Sequence, residues 1–518
     1  MATINSLADL IEQTLIKYSD KPAFHCLGQT LTFAEIERQS YVLAVWLQQR
    51  SGLQTGDRIA IQLPNLIQYP IAAYAALRAG LVLVNTNPLY TTREMQHQFK
   101  DSGAKAIIIL ADLYPKLAEI QSQTDIRQVI LTQAADLLST DQQPTTPEGT
   151  HQLLNILNAH GNSKLVPRKN QSLDDVCVLQ YTGGTTGVSK GAMLTNANII
   201  SNAQQVSPRL GFDPEVDSEI FVCPLPLYHI YAFTINMVVL TCSGSLNILI
   251  PNPRDLSGFI NAIKPFRFTG FAGLNTLFIG LCGQPEFHKL DFSRLKITIS
   301  GGTALTTSAA ELWMKVTGCS IAEGYGLSET SPVLCMNEPG RELMGTVGLP
   351  LPDTTIKFIN AQGTEVVQGE EGELVARGPQ IMQGYWQRLD ETAKSMTSDG
   401  FFKTGDIGLA LATGHIKIVD RLKDMIIVSG FNVYPNEVEQ IITQHPNVLE
   451  AAVIGELCEH SGERVCAYIT LQKDLTEAEL IHYCRDYLTG YKVPKKVVIM
   501  QELPKSAVGK ILRRELRK

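Results

Sequence analysis

Over most of the first 400 residues, short apolar runs rich in β-branched side chains alternate with stretches whose apolar positions recur at helical spacing. Residues 58–62 read as a strand, 67–80 as a helix and 81–84 as the next strand; 105–110 and 128–132 follow as strands around a helical segment. The pattern returns as strand 245–250, helix 256–263, strand 296–300 and helix 306–317. Such alternation predicts two α/β units, each a parallel sheet covered by helices, with polar, proline-bearing connections at 139–150 and 160–175. Beyond residue 350 the pattern changes. Short alternating strands at 355–360 and 373–377, separated by Gln362-Gly363 and Gly369-Glu370, predict a small antiparallel β-barrel or sheet. From about Asp420 a last unit reads helix 435–444, strands 451–455 and 465–471, helix 477–488 and strand 496–500, which is an α+β pattern of domain size. The expected fold class is α/β: a large N-terminal domain, 1–420, and a small C-terminal domain, 421–518.

Composition narrows the function. Of the 518 residues 44% are hydrophobic and 18% charged, as in an ordinary globular chain. A net charge of −7 leaves no electrostatic footprint for nucleic acid. The C-terminus is locally basic, with Lys505, Lys510, Arg513, Arg514, Arg517 and Lys518 against Glu515, and reads for the most part as a solvated helix face or tail. Ten cysteines are scattered with no CxxC pair and no zinc spacing, which fits a reduced, cytoplasmic setting. Asp9 and Glu12 interrupt the first apolar stretch, so it does not read as a signal peptide. The most apolar region, 231–250, is broken by Thr234, Asn236, Thr241, Ser243 and Asn247, and no membrane-spanning helix is expected. Weak peripheral contact with the inner membrane face stays open, as does a homodimer.

The most informative stretch is Tyr181-Thr-Gly-Gly-Thr-Thr-Gly-Val-Ser-Lys-Gly-Ala192. Glycines Gly183, Gly184, Gly187 and Gly191 let backbone N–H groups close around a polyphosphate. Thr182, Thr185, Thr186 and Ser189 add hydroxyl donors, and Lys190 adds charge. The spacing is not that of a Walker A loop. The order of these parts resembles the phosphate loop of the adenylate-forming ligases, a superfamily that activates carboxylic acids as acyl-AMP.

Further segments match that superfamily in order. Ile299-Ser-Gly-Gly-Thr-Ala-Leu305 places Gly301 and Gly302 after a strand, where exposed backbone can line an adenine, and Thr303 adds a hydroxyl nearby. In Glu323-Gly-Tyr-Gly-Leu-Ser-Glu-Thr330 the resemblance implies Tyr325 stacking on adenine, Gly326 and Ser328 lining the nucleotide and Glu329 holding Mg²⁺, with Thr185 as the second metal-binding group. It implies Asp406, in Thr404-Gly-Asp406, as the acceptor of both ribose hydroxyls. In Asp420-Arg-Leu-Lys-Asp424 it implies Arg421 on the ribose and Lys423 at a hinge, about 420–424, around which a mobile C-terminal domain rotates. Gly430 would let the pantetheine of CoA pass, and Lys510 would bridge the carboxylate substrate and the α-phosphate. A cation suits that place, since the adenylation transition state gathers negative charge there. The chain departs from the family where Ser328 replaces the commoner threonine and where Gly301-Gly-Thr-Ala-Leu305 replaces Gly-Gly-Ala-Pro-Leu.

Within the superfamily the chain resembles the bacterial long-chain fatty acid–CoA ligases, through 179–195, Pro224-Leu-Pro-Leu-Tyr-His-Ile-Tyr-Ala-Phe233, 270–278, Gly384-Tyr-Trp-Gln-Arg388 and Gly490-Tyr-Lys-Val-Pro494. That resemblance implies ATP, Mg²⁺, CoA and a medium-long to long fatty acid as cofactors and substrates, with His229 beside the acyl carbonyl and phosphates. It makes Lys510, His229 and Glu329 the catalytic candidates. The apolar stretch 270–279 is expected to leave room for an alkyl chain at Gly270, Ala272 and Gly273, lined by Phe233 and Phe278. Its alternatives are a ligase that loads a carrier-protein phosphopantetheine, a non-catalytic acyl- or nucleotide-binding protein on the same scaffold, and a phosphohydrolase.

Overall fold

The computed structural model describes residues 3–138, 146–159, 163–168, 171–182, 189–211, 219–458, 460–506 and 509–517. An eight-stranded sheet runs in the order Gly384–Tyr385, Lys190–Thr195, Val176–Thr182, Val82–Asn85, Arg58–Gln62, Ala104–Leu110, Gln128–Thr132, His151–Gln152. Pairing is parallel from Val176–Thr182 to the far edge and antiparallel for the two strands at the near edge. A nine-stranded sheet has six parallel strands at its centre, from Ile321–Gly326 through Ile297–Gly301, Gly270–Gly273, Ile220–Cys223 and Leu246–Leu249 to Pro22–Cys26. Central strands such as Val82–Asn85 are buried at every position, as strands covered on both faces must be. One buried cluster joins Ile59, Leu83 and Val178 of the first sheet to Phe221, Ala272 and Ile299 of the second.

The predicted alternation is present, with element ends within a few residues. Helix Thr307–Thr317 starts on the side chain of Thr306, which accepts the Ala309 N–H, and stops at Gly318 in the left-handed conformation. Threonine capping boxes open Phe33–Gln49, Thr92–Ser102, Asn196–Leu210 and Glu477–Tyr487. The allocation of strands to sheets differs from their order in the chain. The N-terminal hairpin Pro22–Cys26/Gln29–Thr32 belongs to the second sheet, because Phe24 and His25 pair with Asn247 and Ile248. The apolar region after His229 is a short helix, Ile230–Ala232, continued by a buried π-helix, Phe233–Leu240. Among the described residues no helix is long and apolar enough to cross a membrane.

The unit expected as a small barrel is a four-stranded antiparallel sheet, Thr355–Ile359, Gly372–Arg377, Phe402–Ala410, Ile416–Arg421. Its strands pair in linear order, which is the sheet alternative and not a closed barrel. After residue 425 a five-stranded sheet forms from Ile426–Val428, Phe431–Val433, Val448–Cys458, Gly462–Leu471 and Lys496–Ile499. Two buried clusters, around Val438, Ile442, Val465 and Leu480 and around Ile454, Cys466 and Leu516, draw all their members from residues 426–516.

Candidate active site

Two paired strands flank the phosphate-loop motif. Strands Val176–Thr182 and Lys190–Thr195 pair antiparallel with Thr182 opposite Lys190. Gly183, Gly184, Thr185, Thr186 and Gly187 lie outside the described residues. The base of the loop is tied shut: Ser189 Oγ donates to the Thr182 carbonyl at 2.7 Å, and His97 Nε2 lies 2.9 Å from the Ser189 carbonyl. Lys190 forms an ion pair with Glu391 and sits 5.2 Å from the centre of the Tyr385 ring. Tyr181 does not offer its side chain to a nucleotide. Strand alternation turns it to the opposite face of the sheet, where it is buried and its hydroxyl donates to Asp101 Oδ2 at 2.8 Å.

The C-terminal ends of Ile297–Gly301 and Ile321–Gly326 lie side by side, with Gly301 opposite Gly324. Gly302 and Thr303 follow the end of one strand, and Tyr325 and Ser328 stand at or just beyond the end of its neighbour, the edge at which an open parallel sheet binds its ligand. Gly302 is exposed with φ +88°, and an added Cβ would meet only Leu274 at 3.9 Å. Its conformation selects glycine there. Gly326 is different, since a Cβ would fall 1.7 Å from the Pro332 carbonyl oxygen. Strand packing explains that glycine without a nucleotide. Glu323, absent from the sequence-derived candidates, is buried and accepts the Leu305 N–H at 3.0 Å; burial pushes its carboxyl up to about 8.

Asp406 lies inside Phe402–Ala410, where Gly405 at φ +71° interrupts the ladder, and it is paired with Arg421 across the sheet. Arg421 Nε reaches Asp406 Oδ1 at 3.2 Å, and the Tyr325 hydroxyl donates to Oδ2 at 2.6 Å. Burial and the Asp406 carboxylate hold the Tyr325 hydroxyl well above its usual range, so it stays a donor. Three sequence candidates from distant segments are thus joined by side-chain contacts. Glu329 is buried in the short 3₁₀ turn Ser328–Thr330; burial raises its carboxyl, opposed by the hydrogen bond that the Tyr385 hydroxyl donates to Oε1 at 2.7 Å.

His229 caps the helix Ile230–Ala232, its Nδ1 accepting the Tyr231 N–H at 3.3 Å. Burial, and then the charge of Lys510, push its imidazole down to about 4, so the ring is neutral at pH 7. With Nδ1 accepting, the proton sits on Nε2, which is left as a donor. Lys510 arrives on the C-terminal loop. Gly509 takes φ +81°, and a Cβ there would lie 3.2 Å from Thr276 Oγ1, so this loop lies against the start of the helix Asn275–Cys282, just beyond the Gly270–Gly273 strand. Burial, and then the charge of Arg421, push Lys510 down to about 8; Asp406 pulls the other way. Lys423 is pushed down to about 8 by burial and then Arg421.

Arg514 is exposed, as a solvated helix face would be, but Lys505, Arg513 and Arg517 are tied down. Arg513 donates to Asn436 Oδ1 at 2.6 Å and Glu439 Oε2 at 2.8 Å and lies 3.5 Å from Asp420 and Asp424. Arg517 pairs with Asp424 and Lys505 with Glu450. These bonds anchor the segment that carries Lys510. Gly430 is elsewhere, at the exposed tip of the hairpin Ile426–Val428/Phe431–Val433, where Ser429 and Gly430 take φ 52° and 85° and a Cβ on Gly430 would meet nothing within 4 Å.

The alkyl-chain expectation for Gly270 and Gly273 is corrected. A Cβ on Gly270 would fall 2.1 Å from the Phe221 ring, and one on Gly273 2.7 Å from the Phe278 ring. Phe278 is fully buried, its ring 4.8 Å from Trp313 between centroids. Those glycines make room for core aromatics. Sequence reasoning also missed Tyr385, Asp101 and Arg513. The 384–388 block was singled out as a resemblance, but no spacing reveals that Tyr385 reaches Glu329.

Comparison with known proteins places this geometry in context. Residues 11–386 match the family model described as AMP-binding enzyme, and 437–510 match the AMP-binding enzyme C-terminal domain. The chain is 44% identical to the long-chain-fatty-acid–CoA ligase of Escherichia coli O157:H7, covering 99% of this chain and 94% of that one. It is 37% identical to the enzyme of that name from Bacillus subtilis strain 168, over the same shares. Among solved structures, ATP-bound MatB from Rhodopseudomonas palustris superposes with a TM-score of 0.87 at 28% identity, covering 99% of this chain and 98% of that one. With both matched regions spanning the two ends of the site, the chain belongs to the AMP-binding enzyme family.

Proposed function

We propose that the protein is an AMP-forming acyl-CoA synthetase for medium-long to long fatty acids. In the first step a carboxylate oxygen attacks the α-phosphorus of ATP, and the bond to the β-phosphate oxygen breaks, giving acyl-AMP and pyrophosphate. In the second the CoA thiolate attacks the acyl carbonyl carbon, the bond to the AMP oxygen breaks, and the thiol proton goes to solvent. The observation that carries this reading is the convergence of Lys510 with His229, Arg421 and Asp406, groups drawn from three separate stretches of chain: Arg421 and Asp406 are near enough to act on the Lys510 ammonium, and Lys510 on the His229 imidazole. The relatives named long-chain-fatty-acid–CoA ligase support the substrate class.

In this reading Asp406 and Arg421 hold the ribose, and Tyr325 lies along the adenine beside Gly302, Thr303 and Ser328. Lys510 spans the carboxylate and α-phosphate, and neutral His229 donates from Nε2 to the oxygens that gain charge. These groups position reactants and neutralise charge, and no protein nucleophile is needed. Mg²⁺, when bound, neutralises the phosphates. The donor set suits it: Glu329 offers a hard oxygen, and among the described residues no group of three His, Cys, Asp or Glu side chains builds a complete cage. Thr185 is the second proposed metal-binding group, and Gly183, Gly184, Thr186, Gly187 and Lys190 the phosphate cradle.

The domain division at about 420–424 is part of the proposal. Residues 426–516 have their own core, and strand Ile416–Arg421 ends at the proposed hinge, where Lys423 sits. Rotation there would withdraw Lys510 and bring the Gly430 hairpin in for CoA. The proposal extends to a cytoplasmic setting with weak contact to the inner membrane face, and to a homodimer, which sedimentation velocity tests. The deciding experiment is ATP- and CoA-dependent thioester formation across acids of increasing length. A fatty acid of about twelve to eighteen carbons should exceed acetate in kcat/KM, since each buried CH₂ contributes about 0.8 kcal/mol, or about fourfold. Acetate or an aromatic acid as best substrate would overturn the substrate class. Acyl-AMP formation without transfer to CoA would favour a carrier-protein acceptor.

A further inference from the structure

Residues 378–396 leave the four-stranded sheet after Gly372–Arg377 and return to it as Phe402–Ala410, crossing the edge of the eight-stranded sheet on the way. The crossing is firmly tied down. Gly384 and Tyr385 pair with Met193 and Ala192, and the Trp386 N–H donates to the Gly191 carbonyl at 2.8 Å. Trp386 Nε1 donates to the Asp101 carbonyl at 3.1 Å, and Arg388 pairs with the Asp101 carboxylate. The strap therefore follows the strand that leaves the phosphate loop.

The same strap reaches the proposed metal-binding carboxylate. The Met382 N–H donates to the Glu329 carbonyl at 2.8 Å, and the Tyr385 hydroxyl donates to Glu329 Oε1 at 2.7 Å. The face of the Tyr385 ring lies under Lys190 Nζ, 5.2 Å from its centroid, and Glu391 of the same strap pairs with Lys190. The Tyr385 N–H donates to Thr392 Oγ1 at 2.9 Å, which closes the strap on itself. One side chain thus touches two charged groups that lie far apart in the sequence. A carboxylate on a glutamate stem can turn about its last torsion, and a single donor on one oxygen stops that motion while leaving its other lone pairs to a metal.

We propose that Tyr385 is a positioning residue for metal–nucleotide binding, its hydroxyl fixing the orientation of the Glu329 carboxylate while its ring fixes Lys190 on the phosphate side. The inference rests on the proposed assignment of Glu329 to Mg²⁺. Partners that orient a metal-binding group typically carry 10–100-fold of metal affinity. Tyr385→Phe keeps the ring, and with it the Lys190 contact, and removes the hydroxyl.

The test is calorimetric binding of ATP, once with Mn²⁺ as the probe metal and once in excess chelator. Tyr385→Phe should weaken Mn²⁺–ATP binding about tenfold or more and leave metal-free ATP binding unchanged. Tyr385→His, which keeps a ring N–H donor, should recover part of the loss. Thermal unfolding checks that each variant is folded, and should Tyr385→Phe not fold, the histidine variant is compared with Tyr385→Leu. Glu329→Gln is the control. If it weakens Mn²⁺–ATP binding while loss of the Tyr385 hydroxyl does not, the positioning role is wrong and the metal assignment stands. If Glu329→Gln leaves metal dependence intact, both are overturned. Equal loss of Mn²⁺–ATP and metal-free ATP binding in Tyr385→Phe would mark the residue as a structural clip and overturn the inference.

Discussion

Replacing Lys510 with alanine separates the two half-reactions. With its ammonium pushed down to about 8, Lys510 is still protonated in about nine molecules of ten at pH 7. The variant therefore removes a full, half-buried charge. Losing one preorganised group of this kind costs about 10²–10³ in rate, or about 3–4 kcal/mol, and the loss should fall on acyl-AMP formation. The partner substitution is Gly430→Leu. A side chain at φ +85° costs about 1–2 kcal/mol of backbone strain, but the hairpin tip has nothing within 4 Å of the new Cβ, so the fold should persist. Pyrophosphate release with acid and ATP reports the first step, and thioester formation from supplied acyl-AMP and CoA reports the second. Lys510→Ala should fail the first and keep the second; Gly430→Leu should do the reverse. If both folded variants lose both steps equally, alternation about residues 420–424 is wrong for this chain.

Asp406→Ala should weaken ATP binding by about 2–3 kcal/mol, roughly 30–150-fold by calorimetry, since hydrogen bonds to a charged group are lost; unchanged affinity would remove Asp406 from the site. Acyl-AMP formation needs protonated Lys510, so its rate should fall as pH rises through about 8, tenfold per unit at the limit. Lys510→Arg, which stays protonated, should lose that limb even if slower overall, and a limb unchanged in the arginine variant assigns it to another group. Gly326→Ala should destabilise the fold by about 3 kcal/mol, because its Cβ would fall 1.7 Å from the Pro332 carbonyl oxygen, whereas Gly302→Ala should cost only about 1 kcal/mol of strain. Equal denaturation midpoints for the two would refute the packing account of Gly326.

The sequence alone determined the α/β class, most element positions and the order of the motifs, because these are local. Burial period, caps and glycine-bearing strand ends are written in neighbouring residues, and helices such as Leu256–Ile263 and Pro435–Gln444 follow directly. It also nominated Asp406, Arg421 and Tyr325 one by one. Only the tertiary structure joined them, since the Tyr325–Asp406 bond links residues on two different sheets. Long-range pairing likewise decided that the N-terminal hairpin joins the nine-stranded sheet and that the small unit is an open sheet. Glycine was the residue least legible in one dimension. The same letter marks a left-handed turn at Gly302, a carbonyl pressed close at Gly326 and an aromatic ring at Gly270 and Gly273. What a missing side chain makes room for depends on which distant segment packs there. That same dependence on packing hid Tyr385, whose hydroxyl meets Glu329 only once the strap has crossed the sheet edge.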